Sequence, residues 1–131
     1  MNNKGITGID VTIAIIIIIT FTGLISSLMF SIYKNALEIQ ASANADAYAT
    51  IILEKVDEKA YEDVDENFVQ TLIDNDEIEI SDNYTIEMKI EPYTDYQYEL
   101  IKKVNLTINY QVNSQEKTLN ITKLKIKEIG E

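Results

Sequence analysis

One uncharged apolar stretch, from Val11 to Phe30, constrains this chain more than any other feature. It includes an unbroken run of isoleucines from Ile15 to Ile19. As an α-helix the stretch would extend roughly 30 Å, which is the thickness of the hydrocarbon core of a bilayer. The chain that follows it is short, so its own core must be small and would be stabilised by packing against a helix. We therefore expect a single membrane crossing followed by a small domain.

The charge of the chain is divided unevenly along its length. The net charge is −11, and residues 38–99 carry 18 acidic residues against 3 lysines. Residues 100–131 carry 6 lysines and 3 acidic residues. Because phosphate binding requires a basic patch, the acidic middle argues against nucleic acid as a direct ligand. The basic last segment could face the acidic middle, within one subunit or between subunits, or its charges could form a solvated surface.

The composition also excludes most catalytic chemistry. The chain has no cysteine and no histidine, so it lacks a thiol, the commonest general base and the commonest transition-metal ligand. A nucleophile with an activating base could then be built only from lysine or a carboxylate. We predict that the protein is not an enzyme, that it uses no cofactor and that it has no small-molecule substrate.

An apolar stretch near the N-terminus has three interpretations. A secretory signal has a shorter apolar core, and the small-residue triplets at 41–43 and 45–47 lie too far beyond this one. A plain signal anchor fits the length, with Lys4 holding the N-terminus in the cytoplasm, but it leaves Asp10 unexplained. The third interpretation is a pilin-type helix, and it accounts for both ends of the stretch.

The segment Lys4-Gly5-Ile6-Thr7-Gly8-Ile9-Asp10 resembles the type III signal of type IV prepilins. In that family a short leader ends in a basic residue and glycine, the mature chain starts with an apolar residue, and its fifth residue is acidic. The resemblance implies a leader of residues 1–5, cleavage after Gly5 by prepilin peptidase, and methylation of the Ile6 amine. It covers about the first quarter of the chain.

The spacing of these residues has a physical reason. Gly5 has no Cβ to obstruct a peptidase at the scissile bond. Cleavage frees a cationic amine on Ile6, and Asp10 lies one helical turn further on. A carboxylate is costly in a membrane unless a cation lies beside it. The resemblance implies that this cation is the Ile6 amine of a neighbouring subunit, so that Ile6 and Asp10 set the register of assembly. The alternative is that Asp10 only favours the positive end of the helix dipole.

Beyond the apolar stretch the helical pattern continues to about Tyr61 and then changes to strand-like alternation. One expected helix face is formed by residues at three-to-four spacing, namely Leu37, Ala41, Ala45, Tyr48, Ile52 and Val56. An adjacent small-residue stripe, able to contact neighbouring helices, consists of Ile32, Ala36, Ile39, Ala43 and Ala47. Apolar residues from Phe68 to Ile73 predict a short helical turn. Alternation then begins at residues 77–80, and the later strands are expected at 84–90, 100–112 and 119–126, with turns at 81–83 and 113–116.

We therefore predict an α+β fold, in which a long N-terminal helix packs on an antiparallel meander of three or four strands. Leu124 and Ile126 fall on the opposite parity from Leu119 and Ile121, which predicts a β-bulge near Thr122 or a strand exposed on both faces. The expected divisions are a leader (1–5), a membrane and filament-core half-helix (6–32), a soluble amphipathic half-helix (33–62) and a β domain (63–131).

Three other patterns are candidate sites. Two acidic clusters, at residues 62–66 and 74–79, invite calcium, but no EF-hand loop is present, and solvated charge is the preferred interpretation, so no metal site is predicted. Three Asn-x-Thr triplets, at 83–85, 105–107 and 120–122, match a glycosylation signal, yet two fall inside predicted strands. Tyr93, Tyr96 and Tyr98 lie in a predicted loop and would suit either an adhesive surface or ordinary sheet packing.

The predicted function is assembly. The resemblance implies a structural subunit, a minor pilin or pseudopilin, of a type IV pilus-like or type II secretion-like filament. Its partners would be the membrane, prepilin peptidase and other pilin subunits. It would first lie in the cytoplasmic membrane with its C-terminus outside, and later in an extracytoplasmic filament. Secretion, DNA uptake and surface pili all reuse such a helix. The alternative is a single-pass anchored protein with an extracytoplasmic binding domain.

Overall fold

A computed structural model describes residues 8–93 and 100–128. The fold is α+β, as predicted: a long N-terminal helix packs on a three-stranded antiparallel sheet with the strand order β1-β2-β3. The elements in chain order are α1 (Gly8–Glu58), α2 (Phe68–Asp74), β1 (Tyr84–Pro92), β2 (Ile101–Val112) and β3 (Gln115–Ile126).

The chain divides into two compact units, Met1–Leu37 and Glu38–Glu131. The described part of the first unit consists of α1 residues alone, and its side chains are exposed almost throughout. The second unit contains the rest of α1, together with α2 and the sheet. Its core is the only place where the chain buries a continuous set of apolar side chains in the described residues.

Within the second unit, α1 buries one narrow face against the sheet. Ala45, Ala49, Ile52 and Val56 are at most 1% exposed, and their spacing of three or four residues places them on one side of the helix. The two alanines allow the helix backbone to lie close to the strands. Opposite them the sheet contributes Met88, Val104, Leu106 and Ile108.

The C-terminal end of α1 is held by lysines of the last strand. Lys123 pairs through its ammonium group with the Asp57 carboxylate and also donates to the Leu53 carbonyl at 3.4 Å. Lys125 donates to the Asp57 carbonyl at 2.9 Å. Carbonyls of a last helical turn lack intrahelical partners and carry partial negative charge, so cations there are stabilising. The helix ends at Glu58, about one turn before the predicted end at Tyr61.

The segment between α1 and the sheet contains α2, whose Phe68, Val69 and Leu72 are buried, in agreement with the predicted helical turn. After it the chain turns through Asp76, which has a positive φ of 56°. The alternating residues 77–80 form no strand, so the fourth strand allowed by the sequence is absent from the described residues. Ile78 and Ile80 instead pack on the core from irregular backbone.

A tight two-residue turn joins β2 to β3. Val112 pairs with Gln115, and the two residues between them, Asn113 and Ser114, have positive φ values of 52° and 61°. Two successive left-handed residues define the type I′ turn, whose twist matches that of antiparallel strands. The turn confirms the interruption predicted after Val112.

The β-bulge predicted near Thr122 is wrong. The pairing of β2 with β3 runs without interruption from Val112↔Gln115 to Ile101↔Ile126. Leu124 and Ile126 point to the outer face and are 44% and 61% exposed. Lys123 and Lys125 occupy the positions that face the helix, and their long side chains reach its end. The change of parity in the sequence is therefore explained by lysines that face inward on an edge strand. The second prediction from the sequence, a strand exposed on both faces, allowed this arrangement without a bulge.

Candidate assembly surface of the N-terminal helix

The first unit presents a helix suited to a membrane. The large apolar side chains from Ile9 to Phe30 are 48–72% exposed, and α1 is long and apolar enough to cross a bilayer. Two hydroxyls in this stretch are bonded to the helix itself, since Thr12 donates to the Gly8 carbonyl at 2.9 Å and Thr20 to the Ile16 carbonyl at 2.8 Å. Such internal bonds are what a hydrocarbon environment requires of polar groups. By length and composition, α1 is therefore a candidate membrane span.

Asp10 lies in the first turn of this helix and is exposed. A carboxylate at this position interacts favourably with the unbonded N–H groups of the helix start. The predicted processing residues, Gly5 and Ile6, lie outside the described residues. The pairing of the Ile6 amine with the Asp10 carboxylate of another subunit therefore stays a prediction.

Neither helical glycine is explained by packing within the chain. A Cβ added at Gly8 or at Gly23 would meet no atom within 4 Å. Glycine in a helix interior costs about 1 kcal/mol relative to alanine. The cost at Gly23 therefore has no compensating contact within the described chain.

In the second unit, the side of α1 turned away from the sheet carries a stripe of small and aliphatic residues. Ile39, Ala43, Ala47 and Ile51 recur every four residues and are exposed, Ile39 by 70% and Ile51 by 43%. The first three belong to the predicted adjacent stripe, and Ile51 extends it by one turn. Helix α1 in this unit thus has two apolar sides, of which only one is used by the fold.

The lysines of the last segment are bound to acidic residues within the second unit. Lys117 pairs with Glu38 at 2.7 Å and Lys127 with Glu62 at 2.5 Å. The hydrogen bond that Lys117 donates to Glu38, together with the negative charge of Glu38, raises the pKa of Lys117. The hydrogen bond from Lys127 lowers the pKa of Glu62. The basic segment thus contacts the acidic middle within one subunit, as one of the predicted arrangements allowed.

A second ion-pair group joins the end of α1 to the loop after α2. Glu77 lies 3.3 Å from the ammonium group of Lys55 and 3.6 Å from that of Lys59. The hydrogen bond from Lys55 lowers the pKa of Glu77, and the same bond raises the pKa of Lys55. The predicted acidic clusters contain both Glu62 and Glu77, and each of these is bonded to lysine. Across residues 8–93 and 100–128 no group of three acidic residues is arranged to hold a metal ion.

Tyrosines form a cluster that the sequence patterns do not predict. Tyr84 lies between Tyr48 of α1 and Tyr110 of β2, at ring-centroid distances of 5.1 and 5.7 Å. The Tyr84 hydroxyl donates to the Ala41 carbonyl at 3.1 Å, and the Tyr48 hydroxyl accepts from the Ser81 backbone N–H at 3.2 Å. These tyrosines serve the packing of the domain. Of the loop tyrosines proposed for adhesion, Tyr96 and Tyr98 lie outside the described residues.

Lys102 and the ring of Tyr61 form a further contact. The ammonium group of Lys102 lies 4.1 Å from the ring centroid and donates to the Val64 carbonyl at 2.5 Å. Burial lowers the pKa of this lysine despite the neighbouring Glu62. The contact fixes the chain directly after α1 on the sheet.

The Asn-x-Thr triplets acquire a structural explanation. Asn105, Thr107, Asn120 and Thr122 all lie on the outer face of the sheet, and hydrogen bonds join them across β2 and β3. In a strand every second residue lies on the same face. A face that alternates asparagine and threonine therefore produces the sequence pattern Asn-x-Thr along each strand. This shared face is a candidate binding surface that the motif itself does not reveal.

Comparisons with models of protein families, with curated proteins and with solved structures find no match to this chain.

Proposed function

We propose that this chain is a structural subunit, a minor pilin or pseudopilin, of a type IV pilus-like or type II secretion-like filament. Prepilin peptidase would remove residues 1–5 in the membrane, and the mature helix would then leave the bilayer for the filament. Helix contacts between subunits would replace contacts with lipid, and the sheet domain would face outward.

The observation that carries the proposal is Asp10, placed in the first turn of an exposed apolar helix. In a simple anchor, a carboxylate there has only its interaction with the helix start to offset the free energy that an ionisable group costs as it enters a membrane. A filament subunit gains a pairing partner for the cationic N-terminus of its neighbour. The exposed stripe from Ile39 to Ile51 adds support, since small side chains allow close approach of another helix.

The first experiment determines the N-terminus and the intact mass of the protein recovered from its native membrane. A chain that begins at Ile6, with a methylated amine, is expected. A chain that begins at Met1 in cells with active prepilin peptidase would contradict the proposal and would favour the single-pass anchored protein.

The second experiment replaces Asp10. Asp10→Ala should abolish incorporation into filaments, measured by sheared-filament fractionation, while membrane insertion stays normal. Asp10→Glu should retain incorporation, because it keeps the charge. Asp46→Ala is a matched control, since Asp46 is an exposed acid further along the same helix. Equal incorporation of Asp10→Ala and wild type would show that the carboxylate has no assembly role.

A further inference from the structure

The outer face of β2 and β3 carries a ladder of paired asparagines and threonines. Three threonine hydroxyls each donate to the amide oxygen of the asparagine directly opposite, at 2.7–2.9 Å. The pairs are Thr107–Asn120, Thr118–Asn109 and Thr122–Asn105. The asparagines alternate between the two strands, so the ladder places amides on both sides of the strand pair.

These hydrogen bonds fix what the ladder offers to another molecule. Each asparagine oxygen accepts from a threonine, which orients the amide and leaves its N–H groups to donate outward. Each threonine hydroxyl donates its only proton to an asparagine, so towards a ligand it can act only as a hydrogen-bond acceptor. The result is an ordered array of donors and acceptors whose side-chain orientations are set before any ligand binds.

The ladder is neutral in a strongly acidic chain. Its six residues carry no charge, and beside it on the outer face Glu87 and Glu91 of β1 are balanced by Lys89 and Lys103, whereas the whole chain carries −11. Such a field repels polyanions and acidic proteins. Asparagine is also depleted in strands, so three asparagines within two strands run against local preference. Neutrality and fixed amides together favour an uncharged ligand rich in hydroxyl groups.

An aliphatic patch continues the same outer face beyond the ladder. Leu124 and Ile126 follow Thr122 on the outward positions of β3 and are 44% and 61% exposed. Sugar rings present hydroxyls at their edges and C–H groups on their faces, so they match a surface that is amide-rich at one end and aliphatic at the other. From Asn109 to Asn105 the ladder extends about 13 Å along a straight strand.

We propose that this outer face binds an uncharged, β-linked polysaccharide strand lying along β2 and β3. A β-linked chain is extended and ribbon-like, and it therefore suits a strand pair without a bulge. The binding does not depend on filament assembly, since a filament subunit and an anchored protein would present the same face.

The test uses the full chain in detergent micelles, titrated calorimetrically with cellohexaose and with chitohexaose, both neutral and β-linked, and with heparin as the polyanion. Saturable binding of at least one neutral oligosaccharide, and none of heparin, is expected. Asn120→Asp keeps the oxygen that accepts from Thr107 but removes the amide donors, so it should weaken binding about tenfold. Asn44→Asp adds the same charge on an exposed helix position and should leave binding unchanged.

Three results would overturn the proposal. They are absence of binding to both neutral oligosaccharides, equal effects of Asn120→Asp and Asn44→Asp, and self-association of the chain through the ladder. The last would appear in sedimentation as dimers that Asn120→Asp disperses. Circular dichroism of each variant establishes that the domain is folded before it is titrated.

Discussion

Two adjacent isoleucines of α1 allow the packing role of the helix to be separated from its proposed assembly role. Ile52 is fully buried against the sheet, whereas Ile51 is 43% exposed on the opposite side. Ile52→Ala removes three carbons, which corresponds to about 2.4 kcal/mol of transfer free energy. The cavity left between helix and sheet adds to this, so we expect a loss of about 3–4 kcal/mol in the free energy of unfolding. Ile51→Ala leaves no enclosed cavity and should cost about 1 kcal/mol or less.

The assay is urea denaturation of the full chain in micelles, followed by near-ultraviolet circular dichroism of the tyrosines. The cluster of Tyr48, Tyr84 and Tyr110 reports on packing of the second unit, whereas the far-ultraviolet signal would also count the membrane helix. With a urea slope of about 1–3 kcal/mol per molar, Ile52→Ala should lower the midpoint by about 1–4 M.

The variant with the larger loss of stability should show the smaller loss of incorporation into filaments. At temperatures where both remain folded, Ile51→Ala should reduce incorporation into filaments more than Ile52→Ala, because Ile51 belongs to the exposed stripe. Similar midpoints for the two variants would refute the assignment of the two helix faces. Unchanged incorporation of Ile51→Ala would refute the use of the stripe in assembly.

Two further substitutions test the turn and the ion pairs. Ser114→Gly should raise the free energy of unfolding by about 0.5–1 kcal/mol, because Ser114 has a φ of 61° that penalises a Cβ; a loss of stability in the same urea assay would contradict the turn geometry. Glu77→Gln should lower the urea midpoint at neutral pH. Because its lysine partners hold the pKa of Glu77 below the ordinary 4.5, this contribution is present above that value and is lost as the pH falls through the folded-state pKa. The two midpoints should therefore converge in acid, and a difference that stays constant over the whole acid range in which the domain remains folded would show that the charge of Glu77 is not responsible.

The sequence predicted the elements of the fold well because local patterns determine them. Helical spacing placed Ala45, Ile52 and Val56 on the buried face, and alternation located all three strands. The sequence allowed three or four strands, and the structure has three in its described residues, because Ile78 and Ile80 follow the turn at Asp76 and pack on the core without strand pairing.

The predicted bulge failed for a different physical reason. Parity arguments assume that inward positions are apolar, but an edge strand can direct lysines inward when their long stems reach a polar partner. Lys123 and Lys125 do so because the end of α1 provides carbonyls and a carboxylate within reach. These polar partners come close to the lysines only in the tertiary structure, so the sequence of the strand alone does not indicate them.

The candidate assembly site could be predicted only in part. Asp10 stands out as an acid beside an apolar stretch, and the described helix places it in the first turn. Its expected partner belongs to another subunit, so neither the sequence nor the fold of one chain contains the complete pair. The tyrosine cluster and the asparagine–threonine ladder depend on strand register, which period-two patterns leave open.

The order in which the core is assembled has a consequence for synthesis. The buried face of α1 ends at Val56, whereas its partners in β3, including Leu119 and Ile121, are made about 65 residues later. At about 5–20 residues per second the ribosome needs roughly 3–13 s to reach them, while a hairpin closes in microseconds once it has emerged. The core is therefore completed only about 65 residues after the buried helix face has been made, and translation speed, more than strand pairing, sets when the domain closes. A ribosome stalled before Gln115 would leave a nascent chain whose helix end has not yet met Lys123 and Lys125, a species open to capture by chaperones or proteases.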